Sequence, residues 1–166
     1  MLLACLAAAA LAASAPVPAA PVPAPAATAE NDRAAIDALI EAFRAAIIRK
    51  DGRALSELRV DPLIPFIQID GQDGIDRRRT YNARYQGFDT PGFPGFARSI
   101  TEAKGAVEER FYNIAVRTDG PMGLVTFDYE FLEDGKVQNL GLEHWVLRKV
   151  DGHWKILVVT WTSRAP

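Results

Sequence analysis

Asp151-Gly152-His153-Trp154-Lys155-Ile156-Leu157-Val158-Val159-Thr160-Trp161-Thr162-Ser163 decides the fold of this chain. It is a two-residue turn followed by an unbroken β-rich run, and the arrangement repeats upstream, where residues 123–133 lead through Asp134-Gly135 into residues 136–150. Asp-Gly is the favoured two-residue hairpin connection because both central residues take positive φ, which Asp and Gly tolerate best. Residues 123–133, 136–150 and 154–163 therefore predict a twisted antiparallel meander. Residues 108–117 add a fourth strand ahead of it.

Strands have period two, so the turns assign faces. With two-residue hairpins, Leu124, Thr126, Asp128 and Glu130 share a face with Asn139, Gly141, Glu143, Trp145 and Leu147, and with Trp154, Ile156, Val158, Thr160 and Thr162. The other face carries Val125, Phe127, Tyr129, Phe131, Leu140, Leu142, His144, Val146, Leu157, Val159 and Trp161 and is almost continuously apolar. A one-residue bulge exchanges part of one set for the other. On this reading the mixed face walls a helix-covered pocket and the apolar face makes a sheet-to-sheet homodimer, since large exposed apolar patches are rare on monomers.

Upstream, Ile36, Leu39, Ile40, Phe43 and Ile47 recur at helical spacing, which predicts a helix over residues 31–50, capped by Asn31 or Asp32 and ended by Gly52. Residues 53–58 read as a short second helix, which Asp61-Pro62 and Pro65 keep from continuing. Residues 66–69 read as a strand and 75–85 as a polar third helix. In that helix Arg77, Arg78 and Arg79 either form a solvated face or reach an anionic ligand or partner. Residues 86–96 place Phe88, Phe93 and Phe96 among Gly and Pro and predict a loop: an ordered one pinned by its Phe side chains, a lid, or a dimer contact. Helices followed by a meander make the class α+β.

The first 29 residues contain no Lys, Arg, Asp or Glu and run from a Leu/Ala block into Ala, Pro and Val. This reads as a secretory signal with its best cleavage site at Ala27-Thr28-Ala29, leaving one domain over 30–166 that is periplasmic or secreted. Cys5, the single cysteine, lies in Leu2-Leu3-Ala4-Cys5, a lipoprotein-like box, and anchoring there is the lesser alternative. The folded part has no thiol, so disulfides and thiolate metal sites are excluded. A net charge of -2 with scattered basic residues argues against a nucleic-acid surface, and no segment after the leader is apolar for long enough to span a bilayer.

Two histidines cannot make a His-rich metal site, and no calcium loop, phosphate cradle or nucleophile elbow is present. No cofactor is expected. His144 falls on the apolar face and reads as an interface or core residue. Asp128 and Glu143, on the mixed face near Thr126 and Thr160, are the weak catalytic candidates. A desolvated carboxyl has a raised pKa and exchanges protons near neutrality, whereas a solvated one simply pairs with Arg110 or Arg148.

The element order and Arg148-Lys149-Val150-Asp151-Gly152-His153-Trp154-Lys155-Ile156, preceded by Glu143, resemble the nuclear transport factor 2-like superfamily, nearest its SnoaL-like and ketosteroid-isomerase-like domains. The resemblance covers residues 31–163. It implies a conical barrel in which a curved antiparallel sheet wraps a long N-terminal helix around a pocket, commonly as a homodimer through the outer sheet face. Members include isomerases, cyclases, dehydratases and pure binding domains, so the fold does not give the function. The isomerase set of a carboxylate base, a tyrosine and a protonated acid finds no match: Asp61 and Asp70 lie in no family motif, and residues 31–50 hold no tyrosine. The histidines of the dehydratase pattern are missing, so no catalytic residue is carried over.

The leading expectation is an exported, cofactor-free domain binding a small apolar molecule through Thr126, Asp128, Glu143, Trp145, Val158 and Thr160. The alternatives are an isomerase, cyclase or dehydratase using Asp128 or Glu143, and a non-catalytic envelope interaction domain.

Overall fold

The computed structural model describes residues 28–166, so the Leu/Ala block, Cys5 and most of the expected leader lie outside the described residues. The elements run α1 (Glu30–Ile48), α2 (Gly52–Glu57), β1 (Phe66–Asp70), α3 (Gln72–Arg79), β2 (Phe88–Asp89), α4 (Gly92–Glu102), β3 (Val107–Asp119), β4 (Met122–Glu133), β5 (Lys136–Val150) and β6 (His153–Ser163). One six-stranded sheet has the order β2-β1-β6-β5-β4-β3. It is mixed and open, because β1 joins β6 in parallel while the other neighbours are antiparallel.

Both Asp-Gly turns form as expected, with φ of 50° and 75° at Asp134-Gly135 and 49° and 81° at Asp151-Gly152. Beyond the turns the register slips three times. β5 gains one residue between Val137 and Asn139, β6 gains one between Ile156 and Val158, and β3 gains one between Tyr112 and Ala115. Each extra residue reverses the alternation past it. Val125, Phe127 and Tyr129 therefore share the concave face with Glu143, Trp145, Leu147 and Val159. Leu124, Thr126 and Asp128 join Leu142, His144, Val146, Val158 and Thr160 on the convex face. The two faces expected from uninterrupted hairpins are thus recombined, and neither face is the continuously apolar one.

α1 lies across the concave face and buries Ile36, Leu39, Ile40, Phe43, Ala46 and Ile47. Its start has no side-chain cap. Asp32 instead accepts hydrogen bonds from Lys149 Nζ (2.6 Å) and Trp154 Nε1 (3.1 Å), which fastens the helix to the last hairpin. Its end turns left-handed at Lys50 (φ 55°) rather than at Gly52. No described helix is long and apolar enough to cross a membrane.

The segment expected to be a loop is partly β2 and mostly helix. Pro91 caps α4 and Pro94 sits in its first turn, where a missing N–H costs nothing. Phe93, Phe96, Ala97 and Ile100 then recur at helical spacing and turn one face into the core. α3 begins earlier than expected and stops at Arg79. Tyr85, outside it, is buried with its hydroxyl donating to Asp70 Oδ2 at 2.8 Å.

Candidate ligand-binding site

Between α1, α4 and the concave face lies a cavity of about 280 Å³. α1 contributes Phe43, and α4 with its cap contributes Pro91, Gly95, Phe96, Ser99 and Ile100. β1 and β2 supply Phe66, Gln68 and Asp89. Glu109 comes from β3, Tyr129 and Phe131 from β4, Asn139 and Glu143 from β5, and Val159 and Trp161 from β6. The rings pack on one another: Phe43 and Phe96 are stacked at 5.8 Å, Phe66 meets Phe96 at 5.1 Å and Trp161 edge-on at 6.1 Å. Gly141 faces Tyr129 across the β4–β5 ladder. A Cβ there would collide with the Thr162 carbonyl, so β5 and β6 can approach this closely only at glycine.

Two acids stand in this apolar wall. Glu143 is 4% exposed and Glu109 is 5% exposed, on strands either side of β4. Glu143 pairs with Phe127 on one side and Trp161 on the other, and Glu109 pairs with Phe131. Burial pushes the Glu143 carboxyl up to about 8, against a hydrogen bond from Trp145 Nε1 to its Oε1 (2.5 Å) that favours the anion. Glu109 is held well above the usual carboxylate range by burial and then by the nearby Glu143. It accepts no hydrogen bond among the described residues. Burial, with Glu109 and Glu143 beside it, also raises the Tyr129 phenol, whose hydroxyl bonds to Asn139 Oδ1 (2.8 Å) and the Thr162 carbonyl (3.0 Å).

At the β1–β2 edge of the cavity the polar groups are tied together. Arg78 bridges Asp70 (3.0 Å) and Asp89 (2.9 Å) and lies 5.1 Å from the Tyr85 ring, and Gln68 Nε2 donates to Asp70 Oδ1 (2.5 Å). Of the three adjacent arginines, Arg78 thus anchors the edge of the sheet and Arg77 is exposed. Arg79 donates to the Tyr85 carbonyl (3.2 Å).

Of the residues expected to line the pocket, only Glu143 does so. Trp145 is fully buried behind it as its hydrogen-bond donor. Thr126, Asp128, Val158 and Thr160 lie on the convex face, because the β5 and β6 bulges reverse their side of the sheet. Asp128 is exposed and accepts from Asn113 Nδ2 (2.6 Å), so it is removed as a candidate acid. His144 is on the convex face and exposed. Arg110 pairs with Glu108, not with either candidate acid. Asp70 is buried in the Arg78 network and Asp61 accepts from the Leu63 amide on the surface. Among the described residues no three His, Cys, Asp or Glu gather as a metal site. Glu109, the acid that sequence reading missed, had a signal. Val107, Glu109 and Phe111 alternate with Glu108 and Arg110, which puts one acid on the apolar side of β3.

Solved structures share this backbone. An NTF2-like protein from Cytophaga hutchinsonii matches with a TM-score of 0.60 and 17% identity, covering 81% of this chain and 99% of that one. An NTF2-like protein with a cystatin-like fold from Novosphingobium aromaticivorans matches at 0.59 and 16%, covering 80% and 82%. One of unknown function from Shewanella oneidensis matches at 0.54 and 14%, covering 78% and 98%. The fold is nuclear transport factor 2-like. No family model matches the chain, and no curated protein matches it. At these identities the likeness is one of backbone, so what this nuclear transport factor 2-like cavity does must come from its own side chains. Those side chains offer aromatic walls and two buried carboxyls, of which Glu143, raised to about 8, can give or take a proton near neutral pH.

Proposed function

We propose that this nuclear transport factor 2-like chain binds a small, largely apolar molecule in the cavity and holds its polar end on Glu109 and Glu143, without a cofactor. The observation that carries the reading is the convergence of six aromatic walls, Phe43, Phe66, Phe96, Tyr129, Phe131 and Trp161, on two buried carboxyls. Ligand pockets have this composition: apolar surface for affinity and a few polar groups for orientation. A binding molecule changes Trp161 emission and raises the melting temperature. Ser99→Trp, at an exposed wall position, should block the cavity and abolish both responses while leaving melting of the free protein nearly unchanged. Persistence of binding in that variant would place the ligand elsewhere.

A second reading is a cofactor-independent isomerase, cyclase or dehydratase, favoured by the Glu143 carboxyl at about 8, a value suited to a general acid or base at neutral pH. It requires Glu143→Gln to abolish turnover without lowering melting.

Two further proposals accompany the pocket. The convex face, with Leu124 and Leu142 exposed, pairs two copies of the chain. Leu142→Arg should then convert a sedimenting dimer into a monomer. Export rests on the uncharged leader. Thr28 accepts a hydrogen bond from the Thr118 amide (3.1 Å) and Ala29 caps α1, so cleavage upstream of Thr28 fits the fold better than cleavage after Ala29. Intact mass of the secreted protein decides.

A further inference from the structure

The ionisable residues that line the cavity are all acids or tyrosine. Its lining includes the carboxylic acids Asp89, Glu109 and Glu143 and no Lys, Arg or His. Arg78, beside the lining residue Asp89, is committed to Asp70 and Asp89. Aromatic faces carry the negative side of the ring quadrupole, so walls built of Phe, Tyr and Trp attract cations and repel anions.

Resting on the pocket reading above, we propose that the ligand is an organic cation: an amine or quaternary ammonium on a small apolar skeleton, its nitrogen seated against the aromatic walls beside Glu109 and Glu143. An anionic ligand would find no counter-charge here. A neutral ligand could hydrogen-bond to the two desolvated acids but would gain nothing from ionising either. A monocation balances the site, because one acid ionises as the cation enters and the other stays protonated. The cavity is then electrically neutral both empty and full. The proton lost goes to solvent, and the Trp145 N–H already points at the Glu143 oxygen that would carry the charge.

The ionisable groups facing the site are Glu109 from β3, Tyr129 from β4, Glu143 from β5 and Asp89 from β2, the last neutralised by Arg78. α1 and α4 contribute none to the lining. Arg164, past the end of β6, lowers the Tyr129 phenol by its charge. With Glu143 at about 8 in the empty cavity, cation affinity climbs with pH up to that point and levels above it.

Three probes test this by calorimetry from pH 6 to 9: benzyltrimethylammonium, whose charge is fixed, neutral benzyl alcohol and anionic benzoate. Benzyltrimethylammonium should bind at least about tenfold tighter than either at pH 8, and weaken by about tenfold per unit below pH 7. At pH 6 to 7 its heat should shift between buffers in proportion to about one released proton, a dependence that fades above pH 8, as one-site linkage requires. Glu143→Gln, checked by melting, should lose the proton release and most of the affinity, whereas Glu109→Gln leaves Glu143 to ionise and should keep the proton release. Tighter binding of benzyl alcohol or benzoate, or a cation affinity flat across this range, overturns the cation proposal. The pocket reading survives that result where Ser99→Trp still blocks the probe. Absence of binding by all three overturns both.

Discussion

Glu143 and Trp145 are two residues apart on one strand, so they face the same way, and the short bond between them sets the acid's behaviour. Burial raises the Glu143 carboxyl, and the indole N–H opposes that rise by stabilising the anion. Trp145→Phe keeps an aromatic ring and deletes the donor. The Glu143 titration, followed by carboxyl carbon NMR, should move upward from about 8; an unchanged or lower value would mean the indole does not control it. Side-chain chemistry at this level was partly legible in the sequence. Glu143 was visible as an acid among apolar strand residues, and Glu109 had the same signature one strand away. Asp128 looked equivalent and is not, because its face depends on the count of residues between it and the turn.

That count is a property of elements. The meander, its two Asp-Gly turns and the buried stripe of α1 were readable, since turn chemistry and helical periodicity act over a few residues. The three bulges were not, because an extra residue in a strand leaves no local compositional mark at Gln138 or Leu157. Asn113 is the exception. It has φ 52°, a conformation that Asn tolerates better than most residues, and its side chain bonds to Asp128 across the strand pair. Asn113→Gly should preserve stability within a few tenths of a kcal/mol, whereas Asn113→Val should lose about 1–2 kcal/mol in urea unfolding, with the fold retained. Equal losses in both would show that the bond to Asp128, not the backbone, holds the bulge. α4 was hidden for the opposite reason. Its Gly and Pro residues read as loop signals, yet both prolines fall where a helix start accepts them, and the Phe93, Phe96 and Ile100 spacing was the stronger cue.

At the scale of the whole molecule, two buried acids and the surface ion pairs pull stability in opposite directions with pH. Burial raises both Glu109 and Glu143 in the folded protein above the ordinary glutamate value of 4.5, Glu143 to about 8. The unfolded chain therefore releases these protons first as pH rises. Their contribution is fully present below about 4.5 and is lost progressively up to the folded value, at a slope of up to about 1.4 kcal/mol per pH unit for each group. Asp32 is the reverse case. Its hydrogen bond from Lys149, with that from Trp154, lowers its value below 3.8, so its contribution is present above that pH and disappears in stronger acid. Melting should peak in mild acid near pH 5 and fall toward pH 8. The Glu109→Gln/Glu143→Gln double variant should abolish the fall between pH 5 and 8 while leaving the acid limb intact. Benzyltrimethylammonium, by stabilising the ionised site, should restore melting most at pH 8 and least at pH 5. A wild-type profile that rises from pH 5 to 8 would show that the two acids ionise freely in the folded protein and that the cavity is wetter than its walls imply.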